Sequence, residues 1–257
     1  MIFRILIFAA FLFFISCSEK KQFPDFVSQT VEPKNISLNT QLPIFSIAKS
    51  NNSKIEDLDK LIVIQNQMIE KDLKFDLEEF KWTWNQIHKS NDITNANSEE
   101  LKSWFDVSGF LLKITGDPVF AEEMERIALN GIGETFAEHN KIIAPYVFTK
   151  NTDNLFVNLF TPATIDYEHT TKGKVKVEME TNYPKSGKVD LKFSMTKRRY
   201  IEVNIRIPIW AVGATVTVKK VKYHALPGTY CKIAKKWKEG DLVEINFPLE
   251  DQPEYLK

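Results

Sequence analysis

The chain has 257 residues, 43% of them hydrophobic, and its 34 basic and 34 acidic side chains cancel to a formal charge of zero. That length and apolar content allow a sizeable core, in one large domain or two small ones, and exclude disorder beyond the ends. With no polybasic run and no basic block interleaved with stacking aromatics, the sequence has no electrostatic footprint for nucleic acid, and that class is set aside.

The neutral total hides an asymmetry. Residues 55–146 hold 18 acidic and 9 basic side chains, whereas residues 151–257 hold 13 and 18, so two units are expected to meet near residue 150.

At the N-terminus Arg4 precedes an apolar run from Ile5 to Ile15. The run is too short for a transmembrane helix of about 20 residues but suits the core of a signal peptide. It closes in Phe14-Ile15-Ser16-Cys17, which resembles a bacterial lipobox. Residues 1–16 are therefore expected to be a signal peptide, Cys17 the lipid attachment site, and residues 17–54 a polar tether broken by Pro24, Pro33 and Pro43. The expected location is an exported, membrane-anchored lipoprotein facing the periplasm or the cell surface; the alternative is an ordinary signal peptide with an incidental cysteine. The other cysteine, Cys231, has no partner for an internal disulfide. No CxxC, HExxH or Cys/His cluster occurs, so no metal and no cofactor are expected.

From residue 55 to 146 the apolar spacing is helical. Ile55 to Phe75 and Leu77 to Ile87 fit two helices. Asn97-Ser98-Glu99-Glu100 offers an N-cap before Leu101, Trp104, Phe105 and Phe110, and Gly116 stands where that helix should stop. Asp117-Pro118 starts another, with Phe120, Met124, Ile127 and Ala128 inward. A short helix from Glu134 to Ile143 is expected to be closed by Pro145.

After Asn154 the period becomes two. Strands are expected at Leu155 to Phe160, around Val175/Val177/Met179, Val189/Leu191/Phe193/Met195, Ile201 to Ile209, Val216/Val218 and Leu242 to Phe247, with turns such as Tyr183-Pro184-Lys185-Ser186-Gly187. The predicted fold class is α+β: a short helical subdomain of about four to five helices over residues 55–146, then an antiparallel β-sandwich over residues 150–250.

Five blocks occur in order along the second unit: Asp153-Asn-Leu-Phe-Val-Asn-Leu-Phe-Thr-Pro, Thr181-Asn-Tyr-Pro, Arg206-Ile-Pro-Ile-Trp-Ala, Pro227-Gly-Thr-Tyr and Lys236-Trp-Lys-Glu-Gly-Asp. Together they resemble the middle β domain of glycoside hydrolase family 127, the β-L-arabinofuranosidase-like proteins. Upstream, Leu111 to Gly131 resembles the last helices of that family's helical catalytic domain, so the likeness covers roughly residues 100 to 250. The residues themselves read as structure. Trp210 and Trp237 at strand ends suit inter-sheet packing, Pro208 suits a strand end, and Arg206, pointing opposite to Ile205 and Ile207, suits a neighbouring carboxylate or turn carbonyl.

The resemblance implies an active site in a barrel of about twelve helices, with a glutamate and three cysteines holding zinc, one cysteine as nucleophile and a second glutamate as acid/base. The corresponding positions lack it here. The Glu-x-Cys pair should fall near Asn97 to Glu99, where the chain reads Asn-Ser-Glu; the cysteine pair should fall between Asn130 and Tyr146, where no thiol exists. Twelve helices of about 11 to 12 residues would also consume most of the chain.

Substitute catalysts are few. Glu122, Glu123, Glu125, Glu134 and Glu138 gather at the helical end, and their spacing is that of a solvated helix face; Glu134 and Glu138 are the candidate catalytic carboxylates. His139 reads as a surface histidine and Cys231 as a buried or incidental thiol, while His88, His169 and His224 stand alone. The expectation is a non-catalytic carbohydrate-associated accessory or binding lipoprotein. The alternatives are a hydrolase with a replaced site, or a scaffold whose helical face takes a partner chain.

Overall fold

The computed structural model describes residues 29–30, 36–38, 58–71, 77–90, 96–129, 131–133 and 135–256. Five helices are described: α1 (Leu58–Lys71), α2 (Leu77–Ser90), α3 (Ser98–Thr115), α4 (Pro118–Leu129) and α5 (Phe136–Val147). The cap expected before Leu101 is a full capping box: Asn97 Oδ1 accepts the Glu100 N–H and Glu100 Oε2 accepts the Asn97 N–H, each at 3.0 Å. Gly116 ends α3 at φ 67°, a left-handed geometry that a Cβ would disfavour. The last helix corrects the expectation. It runs through Pro145 to Val147, because in the final turn the proline ring deprives a single carbonyl, that of Lys141, of its donor.

The strands are β3 (Phe148–Lys150), β4 (Asn154–Val157), β5 (Ala163–Glu168), β6 (Lys174–Thr181), β7 (Lys188–Met195), β8 (Arg199–Ile207), β9 (Thr215–Val218), β10 (Val221–Tyr223), β11 (Thr229–Trp237) and β12 (Leu242–Asn246). Two short strands precede the helices, β1 (Gln29–Thr30) and β2 (Ile36–Leu38), inside the stretch expected as a tether. β1 pairs with β3 and β2 with β5, so those residues extend the sheets. The leader, Cys17 and the remaining tether residues lie outside the described residues.

One sheet has five strands in the order β1-β3-β4-β8-β11, the other seven in the order β10-β9-β12-β7-β6-β5-β2. All pairings are antiparallel except β4 with β8, which is parallel. The strand expected at Leu155 to Phe160 stops at Val157, where Asn158 turns its polar groups to another use. Inward residues of the two sheets interdigitate; Phe193 of β7 stacks on Trp237 of β11 at 4.2 Å between ring centroids. Trp237 is fully buried and donates its indole N–H to the Ile201 carbonyl, the packing role expected of it. The fold is thus α+β, with helices followed by a two-sheet sandwich.

Helix α4 meets the outer face of the five-stranded sheet at the far end of β8, whereas Tyr200 of β8 and Lys232, Ala234 and Lys236 of β11 stand exposed. Along β8, Ile201, Val203, Ile205 and Ile207 enter the sandwich, while alternate residues face outward, and at the far end Arg206 meets α4. Among the described residues no helix is long and apolar enough to cross a membrane.

Candidate functional site

The seam between α4 and the sandwich is built around one guanidinium. Arg206 is fully buried; its Nη1 donates to Glu122 at 2.6 Å, its Nη2 to Glu125 at 2.5 Å and its Nε to the Asn158 carbonyl at 2.6 Å. The guanidinium carbon lies 5.1 Å from the centre of the Phe160 ring. Tyr183 donates its hydroxyl to Glu125 at 3.0 Å. Asn158 is a hub: its Oδ1 accepts the Tyr230 hydroxyl at 2.6 Å, and its Nδ2 donates to the Tyr146 carbonyl and to Thr149 Oγ1. The expectation for Arg206, a neighbouring carboxylate or a turn carbonyl, is met on both counts.

One cation serves two carboxylates here, which sets the electrostatics. The Glu125 carboxyl is pushed up to about 7, by burial first and also by the charge of Glu122, against the opposing pull of Arg206. For Arg206, burial works against the charge, but the two carboxylates outweigh it and hold the guanidinium firmly protonated.

A second cluster lies on the other side of α4, within the helices. Glu123 is 1% exposed. It accepts the Trp104 indole N–H at 2.7 Å, a two-pronged fork from Arg126 at 2.7 and 2.9 Å, and the His88 Nδ1–H at 3.0 Å. Burial by itself favours the neutral acid, yet the bonds from His88, Arg126 and Trp104 prevail and hold this carboxyl down at about 2. Trp84 stacks between His88 and Trp104 and donates to Ser108.

Both clusters correct the expectation of a solvated glutamate face, since α4 is covered on nearly every side. His139 is corrected too. It is 5% exposed and donates Nδ1–H to the Ile132 carbonyl at 2.9 Å, and burial lowers its basicity. His169 is buried with Nε2–H on the Tyr200 carbonyl. Cys231 is buried on β11, its thiol pushed up to about 11 by burial. Of the two candidate catalytic residues, Glu134 lies outside the described residues. Glu138 is half-buried in the first turn of α5, where its N–H donates to the N-cap Thr135 hydroxyl. Among the described residues no three His, Cys, Asp or Glu side chains are grouped to hold a metal ion.

The cavity at the seam measures about 20 Å³ and is bordered by Glu125, Phe160, Thr161 and Tyr183. A wider, open groove of about 460 Å³ lies on the seven-stranded sheet, lined among others by Glu178, Glu180, Thr181, Asn182, Lys188 and Asp190. Its acids are paired: Glu180 with Lys192, Asp190 with Lys188 and Glu178 with Lys176. Sequence reasoning missed the groove, because its residues come from separate strands joined only by register.

Residues 154–249 match the profile of a known domain, the GH127 middle domain of beta-L-arabinofuranosidase. This segment is GH127-like. Three solved structures resemble the chain. A GH127 beta-L-arabinofuranosidase from Geobacillus stearothermophilus T6 has 24% identity and a TM-score of 0.49, covering 58% of this chain and 30% of that one. A protein described as a glycoside hydrolase has 21% identity and a TM-score of 0.50, covering 59% and 32%. A GH127 beta-arabinofuranosidase has 21% identity and a TM-score of 0.49, covering 59% and 31%. The GH127-like chain thus spans about a third of the length of these structures. No curated protein matches it. Four of the five sequence blocks converge in space, since Asn158, Tyr183, Arg206 and Tyr230 all belong to the seam, while Trp237 of the fifth packs in the sandwich core towards the other end of β8. The blocks are marks of scaffold.

Proposed function

We propose that this GH127-like chain is a carbohydrate-associated accessory lipoprotein, exported and held at a membrane through Cys17, that binds a glycan without cleaving it. The observation that carries the reading is the state of the seam carboxylates. A general acid must bring a proton to a glycosidic oxygen. Glu122 and Glu125 are instead committed to Arg206, and Glu123 to His88, Arg126 and Trp104. The space beside them, about 20 Å³, has room for about one water molecule, against at least about 300 Å³ for a ligand pocket.

The open groove on the seven-stranded sheet has the volume and polar lining for a glycan. The ion-paired acids there offer acceptors for hydrogen bonds from sugar hydroxyls. The matched domain's description makes an arabinofuranosyl glycan the first ligand to try. The test is a glycan array on the chain from Cys17, with an arabinofuranoside turnover assay on the same preparation. Expected are glycan binding that Asp190→Ala weakens, and no turnover. Turnover abolished by Glu138→Ala would replace this reading with that of a hydrolase using a substituted carboxylate.

A second reading, a scaffold completed by a partner chain, is favoured by Trp82 and Val63, which stand 62% and 52% exposed on α2 and α1. A monodisperse monomer by light scattering would dispose of it.

A further inference from the structure

Four turns gather at the end of the sandwich where β8 begins, and each carries at least one lysine or arginine. Arg199 donates to the Lys172 carbonyl, which ties the β5–β6 turn to the start of β8. Lys236 lies opposite Tyr200 in register, and Lys219 pairs with Asp241, which brings the β11–β12 and β9–β10 turns alongside. This end presents Lys172, Lys197, Arg198, Lys220, Lys236 and Lys238, all exposed and none in an ion pair among the described residues. Four acids, Asp153, Glu168, Glu239 and Asp241, stand among these basic side chains and are outnumbered by them. Glu168 accepts the Gly173 N–H, Glu239 accepts the Met195 N–H, and Asp241 is buried between Lys219 and Lys235. At the opposite end of β8, Arg206 meets the acidic helix α4. Charge is therefore separated along the molecule, with the lysine turns at one end and the acid-rich helices at the other.

The register shows which way the N-terminal strand runs. Gln29 and Thr30 pair with Lys150 and Thr149, which pair with Leu155 and Phe156, which pair with Val203 and Asn204. β1 thus runs in the direction of β8, and its N-terminal end points to the basic turns. Cys17 precedes Gln29 by 12 positions (29 minus 17), a reach of at most about 40 Å when fully extended. Gln29 is level with Val203, the middle of the 9-residue β8, so either end of that strand lies about 15 Å away, well within this reach; only the direction of β1, whose N-terminal end faces the basic turns, favours that end.

We infer that the basic end of the sandwich docks on an anionic lipid surface, with the acidic helices held away from it. The inference deepens the proposed function and rests on its anchoring reading for the geometry. Each lysine or arginine close to such a surface strengthens attachment roughly fivefold, and the attraction fades within about 10 Å at 0.1 M salt. A patch of this kind acts with a lipid chain as the second of two signals.

The experiment is vesicle sedimentation of the full chain carrying Cys17→Ser, with phosphatidylglycerol-containing vesicles and with phosphatidylcholine alone. A variant with Lys172→Gln, Arg198→Gln, Lys220→Gln and Lys238→Gln is compared with one carrying Lys89→Gln, Lys102→Gln, Lys141→Gln and Lys185→Gln, which removes the same charge elsewhere. The first variant is expected to lose affinity for the anionic vesicles by about six hundredfold and the second to stay within about twofold. Binding by the parent chain should fall with added salt. Equal behaviour of the two variants overturns the inference, and so does binding to a soluble acidic polysaccharide without binding to vesicles. Mass spectrometry of the unmutated chain from bacterial membranes reads the Cys17 lipid separately. No lipid with the vesicle difference intact defeats only the anchoring reading; lipid present with no vesicle difference defeats only the docking surface.

Discussion

Arg206 and Glu125 meet at 2.5 Å across the seam between the sandwich and α4, with Arg206 wholly removed from solvent. They lie 81 positions apart in sequence, and the same guanidinium reaches Glu122. Such a cluster specifies how two layers dock more than it adds net stability, because desolvating three charges offsets much of their attraction.

Removing its cation should therefore be costly. Arg206→Ala leaves the buried Glu125 and the half-buried Glu122 without a counter-charge, with an expected loss of about 3–5 kcal/mol in denaturant unfolding. Glu125→Gln in the same background should recover part of it, a coupling on the order of 1–3 kcal/mol that a double-mutant cycle reads directly. Simple additivity of the two changes would mean that the seam carries no coupled charge.

The two glutamate clusters should oppose one another in pH dependence. Glu123 has a folded value near 2 against an ordinary 4.5, so its contribution is present above pH 4.5 and is lost as pH falls towards 2. The shift corresponds to about 3 kcal/mol. Glu125 is raised, so its contribution is present below the ordinary carboxylate range and is lost as pH rises through about 7. Urea midpoints measured from pH 3 to 8 should show the acid-side slope flattened by Glu123→Gln and the neutral-side fall flattened by Glu125→Gln.

Gly187 should tolerate no side chain. A Cβ there would stand 1.8 Å from the Phe247 carbonyl oxygen, where the chain passes against the backbone after β12. Because the obstacle is backbone, Gly187→Ala should cost about 3 kcal/mol or more. A thermal midpoint within a few degrees of the parent would show that the two segments can separate freely.

Cys231 should be silent in the native protein. It is 2% exposed and its thiol is raised to about 11, so little thiolate is present at neutral pH and reagents cannot reach it. In the Cys17→Ser chain, a disulfide-exchange reagent should label nothing in buffer and one thiol per chain in denaturant. Rapid labelling in buffer would mean that β11, an edge strand, opens readily.

What the sequence alone determined is local. Asn97, Glu100, Gly116 and Pro118 act through their own backbone neighbours, and so the caps of α3 and the start of α4 were legible. The alternation of Ile201, Val203, Ile205 and Ile207 placed them inward and Arg206 outward, and five ordered blocks revealed the GH127 resemblance. Tertiary structure decided the rest. Glu122, Glu123 and Glu125 have the spacing of a solvated face, and only the docking of α4 between the sandwich and α2–α3 turns them into buried ligands of Arg206, Arg126 and His88. The same holds for His139, for the parallel pairing of β4 with β8, and for the recruitment of Gln29–Thr30 and Ile36–Leu38 into the sheets. Side-chain periodicity records which positions avoid water, but a charged group's environment depends on partners many tens of residues away, and that distance closes only when the layers pack.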